Sequence, residues 1–385
     1  MLNIIVVDNR IMMIPSTMKA VVVESTGGID VLSYRSQHPT PTYVPRGHAL
    51  VRNEYAGLNF IDTYHRNGLY PRDCPFVLGQ EGGGIVAGLY PGDEDDDDDD
   101  DEGGDHRPVG GDDDPVPSCA AADDVFRVGD RVAYGALVGS YAEYSLVPLD
   151  RLVRVPSYME MPIAVSCMIQ GLTAHYLSSS VGYGIAKTGD WVLVYGVGSG
   201  TGRWTAQMCK IRGYRVIGVT SRCKVAGGAE AAFGFCDELI VLENEPGKSY
   251  ASYSSIDVVS RVSDVTSGVM CKLVIDGVGL STYELSLNCL SVRGMLVSYG
   301  NASGPVPPFP VLRLLPRSAY VTRPKLNDYV ASRDELLSRA NEVFDWVNTG
   351  RLDVVVDRVF RLEEAAAGHE YLEDGRTRGK VLYRI

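Results

Sequence analysis

The 385-residue chain has no apolar run long enough to span a bilayer. Its eight cysteines include no Cys-x-x-Cys pair and none beside a histidine in a ligand pattern, which argues against a structural zinc site. Residues 1–17 make a poor leader: Ile4-Ile-Val-Val7 is apolar, but Arg10 is the one cation, with Asp8 close by. They are expected to be a disordered extension, with Met18 opening the folded body. There is no internal repeat. Nor is there a basic excess. The formal net charge is −13, yet 16 acidic residues against the single cation Arg107 fall between Asp93 and Asp124, leaving 35 basic and 33 acidic residues elsewhere. That near-neutral body excludes a strongly basic nucleic-acid domain. The absences together predict a cytoplasmic protein with free thiols, long enough for two domains.

Most informative among what is present is Trp191-Val-Leu-Val-Tyr-Gly-Val-Gly-Ser-Gly-Thr-Gly-Arg-Trp204. A β-rich run enters Gly196, Gly198, Gly200 and Gly202; a helix-compatible segment follows to about Ile211, then a second β-run, Arg215–Thr220. Strand, glycine turn, helix and strand within about 30 residues is the pattern of a dinucleotide-binding βαβ unit. Glycines permit the tight turn and let backbone N–H groups approach a pyrophosphate, which the helix N-terminus favours. The competing reading is a glycine loop without a ligand. After the second run come Ser221, Arg222, Cys223 and Lys224, with no carboxylate to receive ribose hydroxyls. Two cations there suit a 2′-phosphate, so the expected cofactor is NADPH rather than NADH. The plainer alternative makes Arg222 and Lys224 a solvated helix start.

From Met18 to about residue 148 short β-runs are broken by Pro and Gly, with an insert at 91–124 whose ten consecutive acids, Asp93 to Glu102, predict a solvated, disordered loop. From 149 to about 320 helical segments alternate with β-runs at 191–195, 215–220, 238–241, 271–275 and 294–299, which predicts a doubly wound parallel sheet and an α/β fold. A helix at Ser332–Trp346 and strands at Asp353–Val356 and Lys380–Arg384 then return the chain, as 321–385, to the first section. Ligand chemistry is expected in the cleft between the two parts, outside the C-terminal strand ends.

The strip Asn59-Phe-Ile-Asp62-Thr-Tyr64-His-Arg66-Asn-Gly68-Leu-Tyr70-Pro71 resembles the active-site strip of the zinc-free quinone oxidoreductases, the zeta-crystallin branch of the medium-chain dehydrogenase/reductase superfamily. Gly79-Gln-Glu-Gly82, Gln170-Gly-Leu-Thr-Ala174, Asp276-Gly-Val-Gly279, Ser298-Tyr-Gly-Asn-Ala-Ser-Gly304 and Val321-Thr-Arg-Pro324 extend the match from Met18 to Ile385, the acidic insert excepted. The resemblance implies a GroES-like β-barrel catalytic domain plus a Rossmann domain. It also implies NADPH-dependent quinone reduction without a metal, since the ligand positions of metal-dependent relatives read Leu58-Asn59 and Gln80. Related enzymes that reduce enones, alkenals or enoyl thioesters are the nearest alternative; RNA binding, known among zeta-crystallin relatives, is one of another class. A homodimer or homotetramer is implied. The family's Ala-x-x-Gly-x-x-Gly loop reads Gly196-x-x-Ser199-x-x-Gly202 here, and Leu242 stands where a tyrosine often packs on the adenosine side.

On this reading Thr173, Gly196, Gly198, Ser199, Gly200, Thr201, Gly202, Ser221, Arg222, Lys224, Gly277, Tyr299 and Asn301 are the expected cofactor contacts. Asn59, Asp62, Tyr64, Tyr70 and Arg323 are the catalytic candidates. Tyr70 would donate a proton, Tyr64 stack on a ring, and Arg323 balance oxyanion charge. Each has a bland counterpart: the tyrosines pack a loop, Asp62 caps a helix or orients Arg66, and Arg66 is a surface cation. His65 is expected to face solvent.

Overall fold

The computed structural model describes residues 2–7, 10–90, 125–225, 232–247 and 251–385; the acidic insert 91–124 lies outside them. Leu2–Val7 and Arg10–Pro15 pair as an antiparallel ribbon where a disordered extension was expected. The reason is compositional. Aliphatic, partly β-branched runs close together in sequence favour pairing, and Ile14 is buried with Val44, Leu50 and Phe126.

Two sheets build the first section. One holds, in spatial order, Val153–Arg154, Arg131–Gly135, Glu81–Leu89, His48–Leu58, Lys380–Arg384 and Val356–Arg361, with Tyr144–Pro148 also paired to His48–Leu58. The other joins Leu32–Pro39, Thr17–Val23 and Phe76–Val77. The chain end thus enters the first sheet, with Val381 opposite Leu58, so that its backbone flanks the start of the Asn59 strip. The late strand begins at Val356, not at Asp353. Asp353 is engaged elsewhere: its N–H bonds Gln207 Oε1 at 2.8 Å and its carboxylate meets Arg203 at 2.6 Å.

The second section is a six-stranded, wholly parallel sheet in the order Glu238–Leu242, Arg215–Ser221, Trp191–Tyr195, Cys271–Asp276, Leu290–Ser298, Tyr320–Thr322. From Trp191–Tyr195 the chain first winds one way, then returns to the other side, so a crevice opens between that strand and Cys271–Asp276. Every residue of Trp191–Tyr195 is buried, as a central parallel strand covered on both faces requires. Trp191, Leu193 and Tyr195 enter one core cluster and Val192 and Val194 the opposite one. The helix Arg333–Asn348 is capped by Ser332, whose hydroxyl accepts from Glu335 N. Its buried stripe of Leu336, Ala340, Val343 and Phe344 packs with Trp204, Met208 and Leu382, fastening the two sections together.

Asp62 lies in the short helix Phe60–Arg66, completely buried. Its Oδ2 accepts from Asn59 N at 2.8 Å and from the Tyr141 hydroxyl at 3.1 Å, while Oδ1 has no partner. Burial raises its pKa to about 7, against the lowering effect of these two bonds and of Lys380. A carboxyl that keeps its proton in the fold but loses it on unfolding stabilises the protein fully below about pH 4, and that contribution is lost as the pH rises to about 7. Asp62→Asn is therefore expected to gain stability relative to the parent between pH 5 and pH 8, by a few kcal/mol at most. Urea denaturation at the two pH values checks this; parallel pH profiles for the two proteins would contradict it.

Candidate active site

A cavity of about 1000 Å³ lies between the sections, at the crevice the sheet topology creates. One wall is the glycine turn. Gly196 and Gly200 have left-handed backbones, φ 75° and 48°. A Cβ on Gly202 would sit 2.5 Å from Gly196 O and 2.6 Å from Tyr195 O. Only glycine lets the helix Gly200–Ile211 start this close to the strand end, bringing its first-turn N–H groups to the cavity. Ser199 lines the cavity too, but its N–H is spent on Gly196 O at 3.1 Å.

Beyond the turn, Ser221 and Lys224 line the cavity, and the buried hydroxyl of Thr220 has no partner. Burial lowers the Lys224 pKa to about 8, and Nζ donates to Gly375 O at 2.5 Å and to Thr377 O. Arg222 is not at the cavity: its exposed guanidinium pairs with Glu243 at 2.9 Å, a carboxylate from the next strand's end that takes up the charge. Thr173, Gly277 and Tyr299 line the wall. Gly277 leaves room for Tyr299, whose ring a Cβ would meet at 2.7 Å. Asn301 contributes its backbone instead of a lining side chain. Leu242 is sunk in the sheet core, and Tyr253, edge-on to Tyr195 with centroids 6.1 Å apart, supplies an aromatic at the cavity.

The facing wall carries Asn59, Tyr64 and Tyr70. Tyr64 and Tyr70 meet edge to face, 5.3 Å between centroids. Tyr64 is nearly buried, its hydroxyl accepting from Asn301 N at 2.9 Å, and burial pushes its pKa up to about 12. The Tyr70 hydroxyl accepts from Arg323 Nη2 at 3.0 Å; Nη1 of the same guanidinium is anchored on Ser298 O and Gly300 O, 3.1 and 2.9 Å away. These two bonds tie the tyrosine wall to the parallel sheet. Asp62 does not reach the cavity: it is completely buried, with its Oδ2 turned to Asn59 N and the Tyr141 hydroxyl. His65, expected in solvent, is half-buried and lines the cavity. Arg66, one of whose readings was a surface cation, is buried against Glu373 at 2.8 Å and His369 at 3.0 Å. That contact, 307 residues apart in sequence, packs the strip helix on Ala365–Glu373.

Gly375, Thr377 and Gly379, which escaped the sequence reading altogether, arrive with the returning chain, and Gln80 and Gln170, met there only as parts of matching motifs, complete the floor. Gln170 belongs to a π turn, Cys167–Gly171, inserted between the helices Met161–Ser166 and Leu172–Ser179; such insertions often mark functional sites. Its Oε1 is buried without a partner. Among the described residues no three His, Cys, Asp or Glu side chains converge to hold a metal.

Comparison with known proteins agrees with this geometry. The family described as "Alcohol dehydrogenase GroES-like domain" matches residues 45–157, and "Zinc-binding dehydrogenase" matches residues 250–382. The "Quinone oxidoreductase" of Pseudomonas aeruginosa is 34% identical over 92% of this chain and 96% of its own length. A "2-haloacrylate reductase" of a Burkholderia species is 30% identical over 87% and 90%. A mycobacterial protein solved in complex with NADPH is similar with TM-score 0.81 and 34% identity, covering 96% of this chain and 100% of that one. With a GroES-like β-domain, a Rossmann sheet and relatives matched nearly end to end, the chain belongs to the quinone oxidoreductase family of the medium-chain dehydrogenase/reductase superfamily.

Proposed function

We propose that this chain is a cytoplasmic, zinc-independent NADPH:quinone oxidoreductase. Residues 18–148 and 321–385 would form its catalytic domain and 149–320 its nucleotide domain. The observation that carries the reading is the cavity between the glycine turn and the Tyr64–Tyr70 wall. Cys74, Cys167, Cys209, Cys236, Cys271 and Cys289 are free thiols, which suits a reducing compartment. The residues fit the nucleotide: the turn has room for phosphates against the helix start, and Thr220 and Gln170 offer unpartnered polar atoms. They do not fit zinc. Asn59 and Gln80 stand at the ligand positions, and Glu81 is paired with Lys380.

When bound, NADPH supplies hydride from its nicotinamide ring. The protein's part is to orient the acceptor and manage charge and protons. The Tyr70 oxygen already accepts from Arg323, so the phenol keeps its own proton free for an acceptor oxygen in the cavity. The Arg323 guanidinium beside it balances negative charge building on that oxygen. Tyr64, a weak acid in its buried setting, presents a ring face for packing.

Tyr70→Phe and Arg323→Ala are expected to lower kcat on 1,2-naphthoquinone by about 10²-fold, the usual range for a positioned proton donor. Steady-state NADPH oxidation reads this, and unchanged turnover in both would remove them from the mechanism. The 2-haloacrylate reductase among the relatives keeps a second reading open, reduction of an activated alkene. Running the same assay on a 2-alkenal separates the two, and faster turnover on the alkenal would overturn the quinone assignment.

The Lys224 ammonium is the cation best placed for a 2′-phosphate. Lys224→Ala is expected to weaken NADPH binding about tenfold, as loss of one charge-assisted bond does, with little change for NADH. Because this lysine loses its proton near pH 8, the parent's preference for NADPH should decline between pH 7 and pH 9. Fluorescence titrations of both cofactors test this; a preference unaltered by substitution and by pH would contradict it.

A homodimer is part of the proposal. Tyr320–Thr322 is an edge strand, and Val311, Leu312 and Leu315 beside it are 79%, 74% and 69% exposed. Light scattering on the eluting protein should give about twice 41.8 kDa; a monomer mass would refute pairing across this edge.

A further inference from the structure

Beneath Asn59 lies a fully buried ion pair that the mechanism above does not use. Glu81 opens the strand Glu81–Leu89 and Lys380 opens Lys380–Arg384; neither has any exposure. Gly57 makes the space, since a Cβ there would overlap the Glu81 carboxylate. Oε1 of Glu81 receives the Lys380 ammonium and Asn59 Nδ2, the latter at 2.8 Å; Oε2 receives Ile169 N, from the π turn, at 2.7 Å. The ammonium also donates to Asn59 Oδ1 at 2.9 Å and to Leu58 O at 3.4 Å.

We infer that Glu81 and Lys380 are positioning residues that lock the Asn59 amide so that it offers the cavity an N–H donor and no acceptor. The argument is one of valence. An ammonium only donates and a carboxylate only accepts. Asn59, held between them, must turn Oδ1 to Lys380 and Nδ2 to Glu81; a flipped amide would set N–H against ammonium and oxygen against carboxylate. One Nδ2 hydrogen is then left over, on a residue that lines the cavity, and no acceptor for it occurs among the described residues. The pair is neutral as a unit, so its effect there is orientation rather than attraction of anions. A fixed N–H suits an acceptor oxygen that gains negative charge, and leaves a hydroxyl or amine donor without a partner. The inference rests on the reductase reading and narrows it: the acceptor is a molecule that puts a carbonyl oxygen at Asn59.

The test separates orientation from mere stability. Lys380→Met alone strands a buried carboxylate and should destabilise the fold; Lys380→Met with Glu81→Gln removes both charges and should restore the melting temperature. If the pair only supports the fold, activity returns with stability. If it locks the amide, the double variant melts like the parent, binds NADPH within about twofold of it, and yet turns over 1,2-naphthoquinone about tenfold more slowly, short of the full loss of an oxyanion donor. Lys380→Arg, still donor-only, should retain most of the parent's kcat. Parental kcat in the double variant would overturn the inference. Should that protein fail to fold, Asn59→Leu decides: parental kcat without the amide would overturn it equally. A parent that neither binds nor oxidises NADPH would instead overturn the reductase reading itself.

Discussion

The want of room at Gly202 governs the site. A side chain there would collide with the carbonyls of Tyr195 and Gly196, so the helix can begin directly over the strand end only if the position is bare. That approach brings the first-turn N–H groups of Gly200–Ile211 to a cavity whose other side is built by a different sheet. The sheet order puts the turn at the point where the chain changes winding direction, so the crevice and the anion-seeking helix end coincide.

The opposite wall is assembled from pieces distant in sequence. Asn59, Tyr64 and Tyr70 come from one strip, but what holds them comes from elsewhere. Asn301 N and Arg323 reach across from the parallel sheet, Glu373 grips Arg66 from behind, and the returning strand sets Lys380 below Asn59. Two bonds between tyrosine hydroxyls and the nucleotide-side wall mean that the donor side and the acceptor side are placed relative to each other by the same contacts. The charged groups under the floor are paired or buried as neutral sets, so the cavity's polarity is directional rather than simply charged.

Much of this was legible in the sequence, and the limits are physical. The glycine turn and the parallel strands announce themselves through local spacing and periodicity, and they lie where that reading put them; the Asn59–Pro71 strip was legible only through its resemblance to the zinc-free quinone oxidoreductases, and its Asn59, Tyr64 and Tyr70 line the cavity. Misplacements arose wherever a partner far along the chain decides. Arg222 looked free for a phosphate until Glu243 from the neighbouring strand claimed it. Arg66 and His65 carry no local sign of burial; a helix 300 residues later supplies it for Arg66. Asp62 is drawn under the helix it caps. Thr377 and Gly379 have no motif, because they contribute by where the chain returns rather than by what they are. The N-terminal ribbon was missed because a β-branched run was weighed as a poor leader rather than as a strand.

The central claim, that NADPH lies on the glycine turn facing the tyrosine wall, is tested most directly by calorimetric titration of NADPH into the parent protein and into a folded Gly202→Val variant. One molecule bound per parent chain, and no measurable binding to the variant, is the predicted result. Absence of binding to the parent, or equal binding to both, would contradict it.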